Sequence, residues 1–259
     1  MIVSDDEFDC HGKADGAIVI ALHGAVVNRK TWLPLARVLP PEIALWCPDL
    51  PGHGARRDVG FTLAASLDVI DALLARAAPR RAIVAGDSLG GYLALVAGAR
   101  RDPRIAGIVA GGCTWSMTGW RGMLARASDA PTRIAEACVG GERMEAAFAA
   151  VLPRVTDSAT ARAIVAAGLR ARSRSESLDE LRGIDVVALA RQIDVPLAIM
   201  NGRFDYPTRA LERAMRRANP GATLTLGRSG HAVGFFAPTA FLEAIVAVVG
   251  GGSPLPHRT

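Results

Sequence analysis

Residues Ala82–Gly91, with the sequence AIVAGDSLGG, place a serine between an apolar run and a segment of helical periodicity. The run Ala82–Ala85 predicts a buried strand, and the residues from Leu89 to Arg100 predict a helix. Small residues stand two positions before and two positions after Ser88, as a very tight turn from strand to helix requires. Such a turn exposes the hydroxyl at the C-terminal edge of a sheet and beside a helix N-terminus, so Ser88 is a candidate nucleophile.

Short apolar runs alternate with helical segments along most of the chain outside this stretch. Five further runs predict strands: Ala17–Leu22, Ile43–Trp46, Ile105–Ala110, Pro196–Met200 and Ala222–Leu226. Most of them are continuously apolar, which is typical of strands buried on both faces. Four segments between them predict further helices: Lys30–Leu39, Leu63–Ala77, Thr208–Ala218 and Pro238–Val249. The alternation predicts an α/β fold with a mostly parallel sheet covered by helices on both faces.

The alternation stops between Thr114 and Ala190, where the pattern is helical and no strand is predicted. The helical segments are Arg121–Ala127, Pro131–Cys138, Met144–Leu152, Ala159–Arg172 and Leu178–Arg182. An all-helical insertion between two core strands predicts a cap. We therefore expect residues 1–113 and 191–249 to form the core, residues 114–190 to form an inserted helical cap, and residues 250–259 to form a flexible tail.

A serine nucleophile needs a base and an orienting acid, and in this architecture the chain order is serine, acid, histidine. Two histidines follow Ser88. His257 lies in the Gly/Pro-rich tail, whereas His231 lies in a loop after the last predicted strand and is the candidate base. Asp205 follows the strand Pro196–Met200, at the sheet edge where open α/β sheets build their sites, and is the candidate acid.

An oxyanion in this architecture is bound by two backbone N–H groups. Leu89, directly after the serine, supplies the first, and Ala25, in the loop after Ala17–Leu22, is the expected second donor. We expect His23 to be structural because it precedes the serine in the chain and its side chain serves the turn locally.

Five short motifs along the chain form a combination that resembles a known family. They are His23-Gly24 followed by Trp32, the stretch PDLPGHG at residues 48–54, GDSLGG at residues 86–91, NGRFD at residues 201–205, and Gly230-His231. This combination resembles the α/β-hydrolase fold superfamily over nearly the whole chain except the cap. The resemblance implies a Ser-nucleophile branch with a helical cap, similar to small esterases, lactonases, cofactor-free haloperoxidases and carbon–carbon bond hydrolases. It also implies that His53 shapes the rim of the site and transfers no proton.

The serine at position 88 disfavours the haloalkane dehalogenase and epoxide hydrolase branches, whose nucleophile is an aspartate. The expected activity is hydrolysis of an ester or thioester through an acyl-enzyme. Carbon–carbon bond hydrolysis and lyase or cyclase activity use the same catalytic triad and remain alternative activities. A catalytically silent small-molecule binding protein on the same fold also stays open.

Trp115 is the candidate substrate-binding residue, because it begins the predicted cap almost directly after a strand. Met117, Trp120 and Met123 follow it, an unusual apolar density in a chain with only 5% aromatic residues. Arg and acidic residues are nearly balanced in the cap segment, so charge does not predict an anionic substrate. We expect a medium-sized, largely apolar small molecule.

Composition limits the remaining alternatives. The net charge is +5, but the arginines are scattered and no basic cluster predicts nucleic-acid binding. No apolar stretch approaches the roughly 18 residues of a membrane span, and the acidic N-terminus is unlike a signal peptide, so a cytoplasmic protein is expected. The four cysteines lie far apart and are expected to be small buried residues. No motif implies a metal or a cofactor, and the oligomeric state stays open.

Overall fold

The computed structural model describes residues 3–251. Most of the predicted tail, including His257, lies outside the described residues. Within the described range, seven strands form one sheet in the order β1-β3-β2-β4-β5-β6-β7. Their bounds are β1 Phe8–Gly12, β2 Ala17–Leu22, β3 Ile43–Pro48, β4 Ala82–Asp87, β5 Ile105–Gly111, β6 Leu197–Gly202 and β7 Thr223–Gly227.

Only β1 runs antiparallel to its neighbour in this sheet; the other pairs are parallel. The predicted α/β class with a mostly parallel sheet is therefore confirmed. In-register pairs of residues near the C-terminal ends, such as Leu22 with Gly86 and Gly111 with Met200, bring these ends to one edge.

Eleven helices are present in the described part of the chain. They are α1 Leu33–Ala36, α2 Leu63–Ala77, α3 Leu89–Ala99, α4 Gly119–Val139, α5 Gly141–Val155, α6 Ser158–Ala166, α7 Ser173–Glu180, α8 Val186–Gln192, α9 Glu212–Ala218, α10 Val233–Phe236 and α11 Pro238–Val249.

Alternation along the strands builds one apolar layer on each face of the sheet. On β2, Ile18 and Ile20 belong to one layer with residues of α2, α3, α8 and α9, while Val19 and Ala21 belong to the other with residues of α1 and α11. Successive side chains of a strand point to opposite faces, so a strand buried on both faces reads as continuously apolar.

The cap segment differs from its predicted helices in several respects. The predicted helix Ala159–Arg172 ends at Ala166 as α6, and α7 begins at Ser173 instead of Leu178. Helix α4 continues through Pro131, where a break was predicted. Pro131 and Ala127, whose carbonyl loses its helical partner at the proline, are both exposed, so water can satisfy that carbonyl. Helix α8 was not predicted and packs against α3 and α9. The division of the chain into core and cap stays a prediction.

The edge strand β1 was also not predicted. It is short, only Phe8 is buried along it, and its remaining residues are polar or small, so no apolar pattern marks it.

The expectation that all four cysteines are buried was wrong for two of them. Cys47 and Cys113 are buried, but Cys10 is exposed on β1 and Cys138 is exposed near the end of α4. Position on the sheet edge and on the outer helix, not residue type, decides their exposure.

None of the helices in residues 3–251 is both long and apolar enough to cross a membrane.

Candidate active site

Ser88 lies in a strained turn between β4 and α3. Its φ of 55° and ψ of −114° are unfavourable for a residue with a Cβ atom, and such strain is typical of functional sites. A Cβ on Gly86 would lie 2.1 Å from the carbonyl oxygen of Gly90, and one on Gly90 would lie 2.0 Å from that of Leu22. The two glycines therefore allow the tight turn that carries Ser88 to close.

Two other loops at the same sheet edge bring His231 and Asp205 to this serine. The hydroxyl of Ser88 donates to Nε2 of His231 over 2.8 Å. Nδ1 of His231 donates to Oδ2 of Asp205 over 2.7 Å, and the hydroxyl of Thr208 donates to the same oxygen over 2.5 Å. The structure thus brings all three predicted residues together in one hydrogen-bonded chain. Thr208 was not predicted, because a threonine three residues after an acid carries no distinctive signal.

The surroundings of the two residues raise the pKa of His231 and lower the pKa of Asp205. Burial alone would lower the pKa of His231, but the hydrogen bond to Asp205 and the charges of Asp87 and Asp205 raise it above 6.5, against a smaller opposing effect of Arg174. Burial would raise the pKa of Asp205, but the hydrogen bonds from His231 and Thr208 lower it below 3.8. A carboxylate that stays ionised can hold one tautomer of the imidazole and stabilise its protonated form.

The predicted oxyanion donors lie beside Ser88. Leu89 is the first residue of α3, so the helix itself does not satisfy its backbone N–H. The loop that carries Ala25 is also near, because a Cβ on Gly24 would lie 3.5 Å from Cβ of Ser88. Ala25 and Ser88 line the same cavities. The structure therefore brings both predicted donors to the serine.

The loop after β2 is held in an unusual conformation by the cap segment. Val26 has a φ of 73°, which is rare for a β-branched residue. Its N–H donates to the hydroxyl of Ser173 over 2.7 Å, and its carbonyl accepts from the N–H of Arg170 over 2.9 Å. These contacts tie the loop of Ala25 to the start of α7.

His23 and His53 are buried and serve the backbone. Nδ1 of His23 donates to the carbonyl of Gly24 over 2.7 Å, and Nε2 accepts from the N–H of Leu50 over 3.1 Å. Burial lowers the pKa of His23 to about 4 and that of His53 to about 3. Both rings are therefore neutral at pH 7, and the contacts of His23 agree with the structural part expected for it.

Asp87 is a buried carboxyl that was not singled out from the sequence, although it lies inside the motif beside Ser88. Its Oδ2 accepts a hydrogen bond from the N–H of Gly234 over 3.0 Å. Its Oδ1 is buried and has no hydrogen-bond partner among residues 3–251. Burial raises the pKa of Asp87, partly offset by nearby His231 and by the N–H groups of Gly234 and Val233.

Two cavities meet at Ser88, with volumes of about 430 and 570 Å³. Ala25, Ser88, Arg174 and His231 line both. The first cavity is otherwise mainly apolar, with Val27, Phe148, Val151, Leu152, Ile164 and Phe235 among its lining residues. The second includes Tyr92, Trp115, Met117, Leu124, Leu178 and Leu181.

The apolar cluster at the start of the predicted cap divides between the site and the surface. Trp115 and Met117 line the second cavity. Trp120 and Met123 line neither cavity and are 61% and 74% exposed.

Arg174 also lines both cavities, but it was not predicted from the sequence. One arginine among many carries no distinctive signal, and its place at the site depends on the fold.

Comparisons with known proteins agree with this architecture. A stretch of 108 residues is 32% identical to pimeloyl-[acyl-carrier protein] methyl ester esterase of Pectobacterium carotovorum, covering 40% of this chain and 41% of that protein. A stretch of 100 residues is 33% identical to lipase LipV of Mycobacterium tuberculosis, covering 38% of each chain. The chain thus matches about two fifths of the length of these curated relatives.

The fold as a whole is shared more widely. The crystal structure of the enol-lactonase from Burkholderia xenovorans LB400 superposes with a TM-score of 0.73 at 20% identity, over 94% of this chain and 95% of that one. The model of the alpha/beta hydrolase family matches residues 19–244, a range that includes most of β2, the strands β3 to β7, the turn of Ser88 and the loops of Asp205 and His231. This chain is therefore a member of the alpha/beta hydrolase family.

Proposed function

We propose that the protein is a serine hydrolase that cleaves an ester or thioester of a medium-sized, largely apolar small molecule through an acyl-enzyme. The observation that carries the proposal is the hydrogen-bonded chain from Ser88 through His231 to Asp205, placed where two cavities meet. A site for an ester has to hold two arms on either side of one carbonyl carbon, and two cavities that share the nucleophile fit that requirement.

The reaction begins with attack on the acyl carbonyl. As the bond from Ser88 Oγ to the carbonyl carbon forms, the hydroxyl proton passes to Nε2 of His231, and the charge of Asp205 stabilises the imidazolium. The carbonyl oxygen becomes an oxyanion, which the N–H groups of Ala25 and Leu89 bind.

Collapse of the tetrahedral intermediate breaks the bond to the alcohol or thiol, which takes the proton from His231. A water molecule then attacks the acyl-enzyme, giving its proton to His231. When this second intermediate collapses, the proton returns to Ser88 and the carboxylic acid leaves.

The lining of the cavities supports an apolar substrate. Apart from the residues around Ser88, the first cavity presents mainly aliphatic and aromatic side chains, and Trp115 and Met117 add to the second. Apolar walls with a few polar groups are typical of small-molecule sites.

The experiment combines covalent labelling with turnover. A fluorophosphonate probe should modify the wild type once, and peptide mass mapping should place the adduct on Ser88. Ser88→Ala should not be labelled, and it should lose about 10³-fold or more in kcat towards p-nitrophenyl esters from acetate to decanoate. Ser158→Ala, which removes an exposed hydroxyl at the start of α6, should behave as wild type.

Two results would contradict the proposal. Activity retained in Ser88→Ala would exclude Ser88 as the nucleophile. Stoichiometric labelling of Ser88 without turnover of any ester or thioester would favour the silent binding protein.

A further inference from the structure

Arg174 is the one lysine or arginine that lines the two cavities in the described part of the chain, and it lines both. It belongs to α7, whereas the other residues common to the two cavities, Ala25, Ser88 and His231, lie in turns or loops that follow strands. Its charge also acts to lower the pKa of His231, as burial does, which places the guanidinium within electrostatic range of the imidazole.

The guanidinium of Arg174 is hydrogen-bonded to a buried carboxylate. Its Nε donates to Oδ1 of Asp129 over 3.1 Å, and the side chain of Asp129 is completely inaccessible. The other oxygen of Asp129 accepts from Nε of Arg133 over 2.9 Å. Asp129 is therefore paired with two arginines, one on each oxygen, and its bond to Nε restrains the orientation of the Arg174 guanidinium.

The backbone next to Arg174 is fixed to the oxyanion loop. The preceding residue, Ser173, accepts the hydrogen bond from the N–H of Val26, one residue after Ala25. Arg174 is therefore anchored on both sides, by its backbone neighbour to the loop of Ala25 and by Nε to α4.

This anchoring uses one of the five N–H donors of the guanidinium. Within residues 3–251, the side chain of Arg174 has no hydrogen bond other than the one from Nε to Asp129, and 46% of its surface is accessible. Two Nη groups held in a fixed plane match the two oxygens of a carboxylate, and such bidentate pairs are the strong form of this interaction.

We propose that Arg174 binds a carboxylate of the substrate beside the scissile bond, so that the preferred substrates are half-esters of dicarboxylic acids. This inference rests on the proposed function and narrows it. The substrate is then amphipathic, with apolar arms in the two cavities and one anionic group at their junction. The overall charge of the cap segment does not predict an anionic group on the substrate, because the proposed carboxylate site depends on the position of one arginine.

The test compares esters that differ only in a carboxylate. Monomethyl succinate, glutarate and adipate are paired with methyl butanoate, pentanoate and hexanoate, in which a methyl group replaces the carboxylate. Methanol release gives kcat/KM for each pair at a pH on the plateau of each variant's profile. The wild type should prefer the carboxylated member of at least one pair by tenfold or more.

The preference should depend on the Arg174 side chain. Arg174→Met should lower the ratio of the two kcat/KM values at least tenfold, and Arg174→Lys should keep part of it, since an ammonium binds a carboxylate as a point charge. Asp129→Asn should also lower the ratio by releasing the guanidinium. Arg182→Met, which removes the same charge from an exposed residue outside both cavities, should leave the ratio unchanged.

A binding measurement separates failure of this inference from failure of the proposed function. Calorimetry on Ser88→Ala with succinate, glutarate and adipate should detect binding that is lost in Ser88→Ala/Arg174→Met. If no ester is cleaved but this binding is present, the proposed function is wrong and the carboxylate site stands. Equal ratios in wild type and Arg174→Met, or dicarboxylate binding that does not depend on Arg174, would overturn the inference.

Discussion

The side chain of Asp87 accepts a hydrogen bond from the backbone N–H of Gly234 over 3.0 Å, although the two residues are 147 positions apart. Asp87 directly precedes Ser88, and Gly234 lies three positions after His231 in the first turn of α10. The contact joins the turn of the serine to the loop of the histidine. It therefore helps to set the distance of 2.8 Å between Ser88 Oγ and His231 Nε2.

Asp87→Asn and Asp87→Ala should have different effects. Asparagine keeps an oxygen that can accept from Gly234 but removes a negative charge that raises the pKa of His231. We expect its acidic limb of kcat/KM to shift to lower pH. Alanine also leaves the buried N–H of Gly234 unpaired, which costs about 1–3 kcal/mol, so its melting temperature and kcat should fall. The two pH–rate profiles and thermal scans measure this.

Asp58→Asn is the control for Asp87→Asn, since it removes the same charge from an exposed residue. A profile of Asp87→Asn that superposes on the wild-type profile would show that Asp87 has no electrostatic effect on His231.

The pH dependence of the wild type should follow His231. The imidazole has to be neutral to accept the serine proton, and its pKa lies above the ordinary value of 6.5. Activity should therefore rise with pH through an apparent pKa above 6.5 and fall away below it. Measurement of kcat/KM with an uncharged ester from pH 4 to about 9 checks this. A limb centred near pH 5 would be incompatible with the environment of His231.

Acidification should destabilise the fold through His23. Its pKa is about 4 in the folded chain against 6.5 ordinarily, so the unfolded chain takes up the proton first. This contribution to stability is present above pH 6.5, declines as the pH falls, and stops changing below about pH 4. Its size is about 3 kcal/mol, because each pKa unit corresponds to about 1.4 kcal/mol. Protonation would also remove the acceptor for the N–H of Leu50.

Urea unfolding of wild type and His23→Asn at pH 7 and pH 4.5 measures this contribution. The asparagine variant should be less stable at pH 7 but should lose less stability on acidification. An equal loss in both proteins would assign the acid sensitivity to other groups.

Gly90→Ala should disrupt the turn of Ser88. The added Cβ would lie 2.0 Å from the carbonyl oxygen of Leu22, a backbone atom of the buried strand β2, so the start of α3 would have to move. We expect a loss of stability of about 1–3 kcal/mol in chemical denaturation, together with a large fall in kcat.

Gly141→Ala is the matched control because it also lies in the first turn of a helix, where an added Cβ would come no nearer than 4.0 Å to any atom outside its own helix backbone and chain neighbours. It should be neutral or stabilising, since alanine has the higher helix propensity. Equal stability of the two alanine variants would contradict the close approach at Gly90.

The sequence by itself determined the class of fold and the local turn. A strand that is buried on both faces is continuously apolar, and a helix that packs on the sheet has apolar residues at helical spacing. Both patterns lie within one short segment, so the sequence predicts the sheet and its covering helices. The glycines around Ser88 are readable for the same reason, since the restriction acts on neighbours in the chain. Residue order at the ends of strands was enough to select Asp205 and His231.

Tertiary structure alone revealed the distant contacts that have no pattern in the sequence. The contacts of Asp87 with Gly234 and of Arg174 with Asp129 join residues 147 and 45 positions apart, and neither pair carries a local pattern. The same holds for the two cavities, whose walls come from loops at the sheet edge and from helices between β5 and β6. Short-range propensities act along the chain, whereas these contacts depend on how whole helices pack on the sheet, so they become visible only in the folded molecule.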